Sequence, residues 1–281
     1  MIEGILAGLF RQGTTILWWI CKLSTPDKLH LYEPCHQDLF DILSKWQKGM
    51  KDQMHKLPLW DDYLEIPSEH LEVMRQRHDN FNGVIEWNKQ LEQYLDAINA
   101  IPSPCILQPC RLNFVLFDLK LRYGCEIVSI VRNPIDTWFA HFPYADIDHL
   151  MTMSFDKSDG DPFYTNDFYA SLQQKYDLPP LCNFEQFAIV WTLANYYAIC
   201  ASDAVISYDR VVDKPAYEFM KINRKCKTMQ FDVMYADLIK KYTHIYDDKI
   251  RRKFEIRFEQ TVAEFGIDAY YDRVMHYVES V

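Results

Sequence analysis

The chain has 281 residues, 49 % of them hydrophobic, and a net charge of −10. This length and apolar content suffice for a sizeable core, built as one domain or as one domain with a subdomain. The acidic balance excludes broad nucleic-acid binding, which requires a basic surface, and favours neutral or cationic small molecules as partners. The eight cysteines include no Cys-x-x-Cys pair, which predicts reduced thiols in a cytoplasmic protein and neither a disulfide framework nor a metal site.

The N-terminal segment is apolar apart from residues 11–15. It has no basic start and no small-residue cleavage site, so it predicts neither a signal peptide nor a membrane-spanning helix. Residues 2–10 predict a first β-strand, and the apolar run at 16–20 predicts the helix that follows it.

The loop between this strand and this helix reads Gly8-Leu9-Phe10-Arg11-Gln12-Gly13-Thr14-Thr15. Strand, glycine loop and helix present backbone N–H groups to a phosphate. The glycine spacing is that of a Walker A loop, but Thr14 stands where that motif has its lysine. The pattern therefore predicts a P-loop-type sheet that binds an anion other than ATP–magnesium. A glycine-containing turn that opens an ordinary amphipathic helix is the alternative.

A second strand is predicted at 29–32, and it ends at Glu33 and Pro34. Because the carboxyl ends of parallel strands meet at one edge of a sheet, Glu33 is expected near Arg11. A salt bridge to Arg11 and an ordinary loop carboxylate are the structural alternatives for Glu33.

Further strands are predicted at 105–107, 126–131 and 204–207, with helical patterns between them. One apolar face runs over 84–98, another over 184–195, and helix dominates from 232 onward, most clearly over 249–264. The alternation predicts an α/β fold, a parallel sheet flanked by helices, with a helical C-terminal part at about 216–281. The stretch 143–180 is rich in Asp, Gly, Pro and Tyr, which predicts either a long surface loop with a short helix or a lid over an acceptor site.

The fourth predicted strand ends at Arg132-Asn133-Pro134. Asn133 can cap the next helix and Pro134 can begin it. Arg132 then lies at the carboxyl edge, where a guanidinium can hold a phosphate through two hydrogen bonds. An ion pair between Arg132 and an acidic neighbour is the structural alternative.

These motifs resemble those of sulfotransferases that use 3′-phosphoadenosine-5′-phosphosulfate (PAPS). The Gly-Thr-Thr at 13–15, with Arg11 two places before it, resembles the 5′-phosphosulfate loop of that family. Val-Arg-Asn-Pro-Ile-Asp at 131–136 resembles its 3′-phosphate motif, and the helix and strand around 191–212 extend the resemblance to about residue 215. The resemblance implies one sulfotransferase-like α/β domain over 1–281 that needs no metal. It also implies PAPS-binding residues, namely Arg11, Gln12, Gly13, Thr14, Thr15 and Arg132.

Tyr-Glu-Pro at 32–34 resembles a segment of carbohydrate-type sulfotransferases in which the glutamate is the candidate general base. The resemblance therefore implies that Glu33 accepts the acceptor's proton, with Arg11 as the second catalytic residue. The cytosolic phenol- and steroid-sulfating branch uses a histidine after a Lys-Thr pair instead, and the comparable segment at 107–111 has none. The chain is thus nearer the carbohydrate-type and bacterial branch.

One position departs from the family pattern. Ala140 stands where the family has a serine that bonds the 3′-phosphate. Either His141 or another residue completes that site, or the site is weaker. The function implied is transfer of a sulfuryl group from PAPS to a hydroxyl or amine of a small soluble acceptor. A catalytically silent nucleotide-binding module and a P-loop kinase or nucleotide hydrolase are the alternatives, the latter disfavoured by the missing lysine.

Overall fold

The computed structural model describes residues 1–79, 81, 83–141, 165–240 and 247–279. Five strands form one parallel sheet in the order β2-β3-β1-β4-β5. Their bounds are Ile2–Ala7 (β1), Leu29–Tyr32 (β2), Cys105–Gln108 (β3), Glu126–Val131 (β4) and Ala204–Ser207 (β5). Every residue of β2 and β3 is buried, because helices cover both faces of a parallel sheet. The predicted α/β class is confirmed.

Helices connect the strands and, with the loops between them, make up most of the rest of the described chain. Their bounds are Thr14–Ser24 (α1), Leu39–Lys45 (α2), Ser68–Arg77 (α3), Lys89–Asn99 (α4), Leu116–Tyr123 (α5), Pro134–His141 (α6), Thr165–Tyr176 (α7), Asn183–Ala201 (α8), Tyr208–Asp213 (α9), Pro215–Asn223 (α10), Asp248–Glu264 (α11) and Asp268–Glu279 (α12), with 3₁₀ turns at Asp61–Glu65 and Val233–Leu238. The C-terminal part is helical as predicted. None of these helices is both long and apolar enough to cross a membrane.

Two groups of buried side chains form the core. The first surrounds the sheet and includes Trp18 of α1. The second surrounds α8 and includes Phe184, Trp191, Phe254 and Phe258. Helix α8 packs against α5, α7, α11 and α12, so it is apolar around most of its circumference and holds the helical part on the sheet.

Three predicted boundaries differ from the structure. Strand β1 ends at Ala7 and not at residue 10, because the chain turns at Gly8 into the loop, while β3 runs one residue further, to Gln108. The apolar face predicted over 84–98 is helical only from Lys89. Asn88 is extended, and its side chain accepts a hydrogen bond from Leu91 N at 2.8 Å. This cap fixes the helix start. The predicted lid at 143–180 lies outside the described residues up to 164, and α7 occupies 165–176.

Candidate functional site

The glycine loop requires a glycine at position 13, both for its backbone conformation and for the space around it. Gly13 has φ 86°, and a Cβ placed on it would lie 2.1 Å from the Tyr208 ring. At the other end of the loop, a Cβ on Gly8 would lie 2.8 Å from Thr14 Cγ2. The two glycines let the loop close tightly between β1, α1 and the Tyr208 ring.

Gln12 braces this loop from inside the protein. Its side chain is fully buried. Its Oε1 accepts a hydrogen bond from Leu9 N at 2.9 Å, and its Nε2 donates to Asn195 Oδ1 at 3.1 Å. Asn195 in turn donates to Trp191 O at 2.7 Å. The Gln12 carboxamide, predicted as a nucleotide contact, is thus occupied within the core, and it holds the loop on α8.

The N-terminus of α1 faces a cavity at the carboxyl edge of the sheet. Gly13 precedes the helix and offers no capping side chain, and the first turn contains no acidic residue. The first N–H groups of a helix have no acceptor within it, and they carry the positive end of the helix dipole. Gly13, Thr14 and Thr15 line the cavity, so this helix end is suited to an anion.

Two arginines, one in the loop and one at the end of β4, each donate to a backbone carbonyl. Arg11 has a left-handed backbone, with φ 63°, and its Nε and Nη2 donate to Ala140 O at 2.9 and 2.8 Å. Arg132 follows β4 directly, is buried, and donates from Nη1 to Arg11 O at 2.8 Å. Its guanidinium also lies over the Tyr208 ring, 5.2 Å from the centroid. The predicted phosphate-binding arginines are therefore held together by contacts between the ends of β1 and β4.

His141 lies at the end of α6, next to Ala140, the position that differs from the family pattern. Burial, followed by the charges of Arg11 and Arg132, lowers the pKa of His141 well below its usual value. The imidazole is therefore neutral at pH 7, and a neutral imidazole has one N–H to donate. The ring lies near enough to both arginines for their charges to affect its pKa, but His141 is not among the residues that line the cavity, so its predicted role in place of the serine stays a prediction.

Glu33 is a buried carboxyl at the end of β2. It has φ 42°, in the left-handed region that non-glycine residues rarely adopt, and only 8 % of it is exposed. Burial raises the pKa of Glu33 to about 7, against the opposing effects of the Arg111 charge and of hydrogen bonds with Tyr32 and Cys110. A carboxyl that titrates near neutral pH is suited to accept a proton and release it.

All five strands contribute to the cavity through residues near their carboxyl ends. These are Arg11, Glu33, Arg111, Arg132 and Tyr208. The cavity measures about 910 Å³, which is at the upper end of the range for ligand sites. Among the described residues that line it, five basic side chains outnumber three acidic ones. The basic side chains are Arg11, Lys51, Arg111, Arg132 and Lys240, and the acidic ones are Glu33, Asp52 and Asp167. In a chain of net charge −10, this local excess favours an anionic ligand.

Sequence reasoning missed several of the residues that line this cavity. Tyr208 could have been found, because it directly follows β5 at the edge where the other site residues lie. Asp52 and His55 belong to a segment with no motif, and Trp46 and Trp60 beside them look like core residues in the sequence. Asp136, the last residue of the predicted 3′-phosphate motif, is bonded to Arg251 at 2.5 and 3.2 Å. The described residues contain no group of three potential metal ligands.

Comparisons with known proteins find similar chains of low sequence identity. No protein-family model matches the sequence. An uncharacterized protein of Archaeoglobus fulgidus is 26 % identical over 92 % of this chain and 94 % of its own length. The crystal structure of a sulfotransferase from Alicyclobacillus acidocaldarius aligns with 96 % of this chain and 99 % of its own, with a TM-score of 0.44 and 14 % identity. At these levels of similarity the functional assignment rests on the geometry of the cavity.

Proposed function

We propose that the protein is a sulfotransferase that moves a sulfuryl group from PAPS to a hydroxyl or amine of a small acceptor. The observation that carries the proposal is the meeting, in one cavity, of an uncapped helix N-terminus, two arginines and a buried carboxyl whose pKa is near 7. The absence of a lysine after Gly13 distinguishes this anion site from one for ATP–magnesium.

The two ends of PAPS match two parts of the cavity, the glycine loop with Arg11 and the end of β4 with Arg132. The N–H groups of Gly13, Thr14 and Thr15, with Arg11, suit the 5′-phosphosulfate. Arg132 suits the 3′-phosphate, since its planar guanidinium lines the cavity, can hold a phosphate through two hydrogen bonds and is oriented by its bond to Arg11 O. The neutral His141 supplies the further donor that Ala140 cannot.

The reaction is an in-line displacement at sulfur. The acceptor oxygen or nitrogen forms a bond to sulfur while the bond from sulfur to the 5′-phosphate oxygen breaks. Glu33 takes the acceptor's proton, and the helix N-terminus and Arg11 stabilise the charge that develops on the departing phosphate. The leaving group is 3′-phosphoadenosine-5′-phosphate (PAP).

The acceptor half of the cavity combines aromatic and acidic side chains. Trp46 and Trp60 line it, together with Asp52 and Asp167. Because the phosphates of bound PAPS offset the arginines, these carboxylates favour an acceptor that is neutral or cationic. Flat or apolar acceptors gain further from contact with the indole rings.

Nucleotide binding tests the proposal directly. PAP is expected to raise the melting temperature without magnesium. A ligand that binds only the folded state adds about 2.7 kcal/mol at a hundredfold excess over Kd. Stabilisation by ATP–magnesium but not by PAP would contradict the proposal and favour a kinase or hydrolase.

Turnover then separates an enzyme from a silent binding module. The protein is incubated with PAPS and a panel of small hydroxylated and amino compounds, and sulfated products are detected by mass spectrometry. A sulfated product is the expected result. Tight PAP binding with no product from any acceptor would favour the silent module.

A further inference from the structure

A chain of polar side chains leads from Glu33 to the open side of the cavity. The Tyr32 hydroxyl and the Glu33 carboxyl line the same cavity, and the hydroxyl is close enough to lower the pKa of Glu33. Tyr32 OH lies 2.9 Å from Thr15 Oγ1, and Thr15 Oγ1 lies 3.5 Å from His55 Nε2. His55 Nδ1 lies 2.9 Å from Asp52 Oδ2. Every link joins a group that can donate a proton to one that can accept it.

Asp52 fixes the orientation of the imidazole at the end of this chain. Its Oδ2 accepts hydrogen bonds from Met54 N at 2.9 Å and from His55 N at 2.7 Å. A carboxylate held in this way accepts from His55 Nδ1–H, and the ring then presents the lone pair of Nε2 to Thr15. The tautomer follows from this network of bonds.

Exposure to solvent increases along the chain. Tyr32 and Glu33 are 4 % and 8 % exposed. The side chains of His55 and Asp52 are 29 % and 26 % exposed. Once donor and acceptor fill the cavity, they separate Glu33 from bulk water, and the hydrogen-bond chain remains a path from the carboxyl to a group that water can reach.

We propose that Tyr32, Thr15 and His55, oriented by Asp52, form a proton relay that returns Glu33 to its base form after each turnover. The proposal rests on the sulfuryl transfer proposed above. Thr15 serves both steps, because its backbone N–H faces the anion while its hydroxyl belongs to the relay.

The relay step moves one proton and changes no other bond. The proton that Glu33 took from the acceptor passes to Tyr32 O as the Tyr32 proton passes to Thr15 Oγ1 and the Thr15 proton passes to His55 Nε2. His55 becomes an imidazolium beside the Asp52 carboxylate, water removes the proton, and the two hydroxyls rotate back. The transfer is concerted, because burial and the neighbouring Glu33 charge raise the pKa of Tyr32 well above its usual value and disfavour a tyrosinate.

The other groups around Glu33 favour this exit. Arg111 stabilises the carboxylate and so promotes loss of the proton. Burial raises the pKa of Cys110 and keeps it a thiol, while burial followed by the Arg111 charge lowers the pKa of His36. Of these neighbours, the Tyr32 hydroxyl is the one that is also bonded to an oriented imidazole through Thr15.

The kinetic test compares two variants with a matched control. His55→Ala removes the end of the relay, Tyr32→Phe breaks its middle, and His276→Ala removes an exposed histidine of α12.

With PAPS and an acceptor found by the screen, PAP release is measured at low buffer concentration. Both relay variants are expected to lower kcat several-fold with little change in KM. Added imidazole is expected to restore His55→Ala but not Tyr32→Phe, with His276→Ala unaffected. A His55→Ala enzyme with full kcat, or equal rescue of both variants, would overturn the relay.

A second measurement decides the relay without turnover. ¹⁵N-labelled histidine reports the titration of His55 by NMR in the protein alone. Glu33→Gln is expected to shift the His55 titration in the wild-type background and not in the Tyr32→Phe background. An equal shift in both backgrounds would mean that the two groups interact through space, which would overturn the relay. Failure of the wild-type protein to bind PAP would instead contradict the proposed function. The His55 measurement would still decide whether the hydrogen-bond chain connects Glu33 with His55.

Discussion

Two neighbouring strands, β1 and β4, each lead through a short loop into a helix, and the two helix N-termini differ in one respect. At α1 the preceding residue is Gly13, which has no capping side chain. At α6, Asn133 Oδ1 accepts hydrogen bonds from Ile135 N at 2.9 Å and Asp136 N at 3.3 Å. The N–H of Asn133 itself donates to Asp209 at 2.8 Å.

On the proposed function, adjacent junctions of the same type contribute differently to the binding of one ligand. The N–H groups of α1 have no side-chain cap and suit an anion, whereas two of those at α6 are bonded by the side chain of Asn133. The β4 junction contributes a charged side chain instead, Arg132, which is steadied by its bond to Arg11 O. The β1 junction thus offers backbone donors together with Arg11, and the β4 junction offers the side chain of Arg132 alone.

The largest expected effect comes from a substitution at the end of β2, Glu33, and it separates loss of catalysis from loss of binding. Glu33→Gln keeps the shape of the side chain and removes the proton acceptor. General-base catalysis contributes about 10²–10⁴-fold, so kcat is expected to fall by that factor while PAP affinity is unchanged. Steady-state rates and PAP titrations measure the two. Near-full kcat would move the base to another group, with His36 and His141 the next candidates.

Gly13→Ala is the sharpest way to close the α1 site. The new Cβ would lie 2.1 Å from the Tyr208 ring at φ 86°. A left-handed alanine and an overpacked contact together cost about 2–5 kcal/mol. Denaturant unfolding is expected to show this loss, and the PAP-induced rise in melting temperature is expected to vanish. Gly49→Ala is the control, since Gly49 has φ 79° and no atom within 4 Å of a Cβ. Equal effects of both changes would mean that the Tyr208 contact is unimportant.

The stability of the protein is expected to depend on pH through Glu33. Its pKa is raised in the folded state to about 7 from an ordinary value of 4.5, so the folded state holds the proton more tightly. The protonated Glu33 therefore stabilises the folded state fully below about pH 4.5, and this contribution is lost as pH rises to about 7. The free energy of unfolding changes by about 3 kcal/mol over this range. Unfolding of the wild type and of Glu33→Gln at pH 5 and pH 8 measures it. A constant difference between the two proteins would show that Glu33 has an ordinary pKa.

Arg132→Ala tests what the β4 junction supplies. The loss of a charged hydrogen bond is expected to weaken PAP by about 1.5–3 kcal/mol more than it weakens 5′-AMP, which lacks the 3′-phosphate. Arg251→Ala removes an arginine of α11 that binds Asp136 in the first turn of α6, and is expected to leave this discrimination intact. Calorimetric titration provides both affinities. Equal losses for the two nucleotides would make Arg132 structural.

Asn133→Ala is expected to have the smallest effect. It removes the α6 cap and lowers the free energy of unfolding by about 1 kcal/mol. PAP affinity is expected to stay nearly constant, because the N–H groups exposed at α6 lie outside the proposed anion site. A loss of PAP affinity as large as that of Arg132→Ala would mean that the N-terminus of α6 also contributes to binding PAP.

The sheet and the ends of β2 and β4 follow from the sequence because short apolar runs that stop at Glu33 and Arg132 already indicate a buried parallel sheet. The structure confirms the α/β class, the parallel sheet and the helical C-terminal part. The cap of α6 was also readable, since Asn133 and Pro134 are local signals.

Other parts of the site depend on contacts between distant segments. The fit of Tyr208 on Gly13 joins residues 195 positions apart in the numbering, and the spacing of Asp52 and His55 is common in turns. The start of α4 was misplaced, because Val84 and Trp87 continue the apolar period and only the geometry of Asn88 ends the helix there. The roles of Arg11, Arg132, His141 and Glu33 stay predictions that the experiments above decide.

The bond between Gln12 and Asn195 links two positions that are 183 residues apart. Substitution of either one leaves a buried amide without its partner, so natural variation at the two positions is expected to be correlated across relatives. The same bond constrains engineering. Grafting the segment from Gly8 to Thr15 onto another scaffold would transfer the glycines but not the support beneath them, unless a suitably placed amide on the equivalent of α8 is transferred with it.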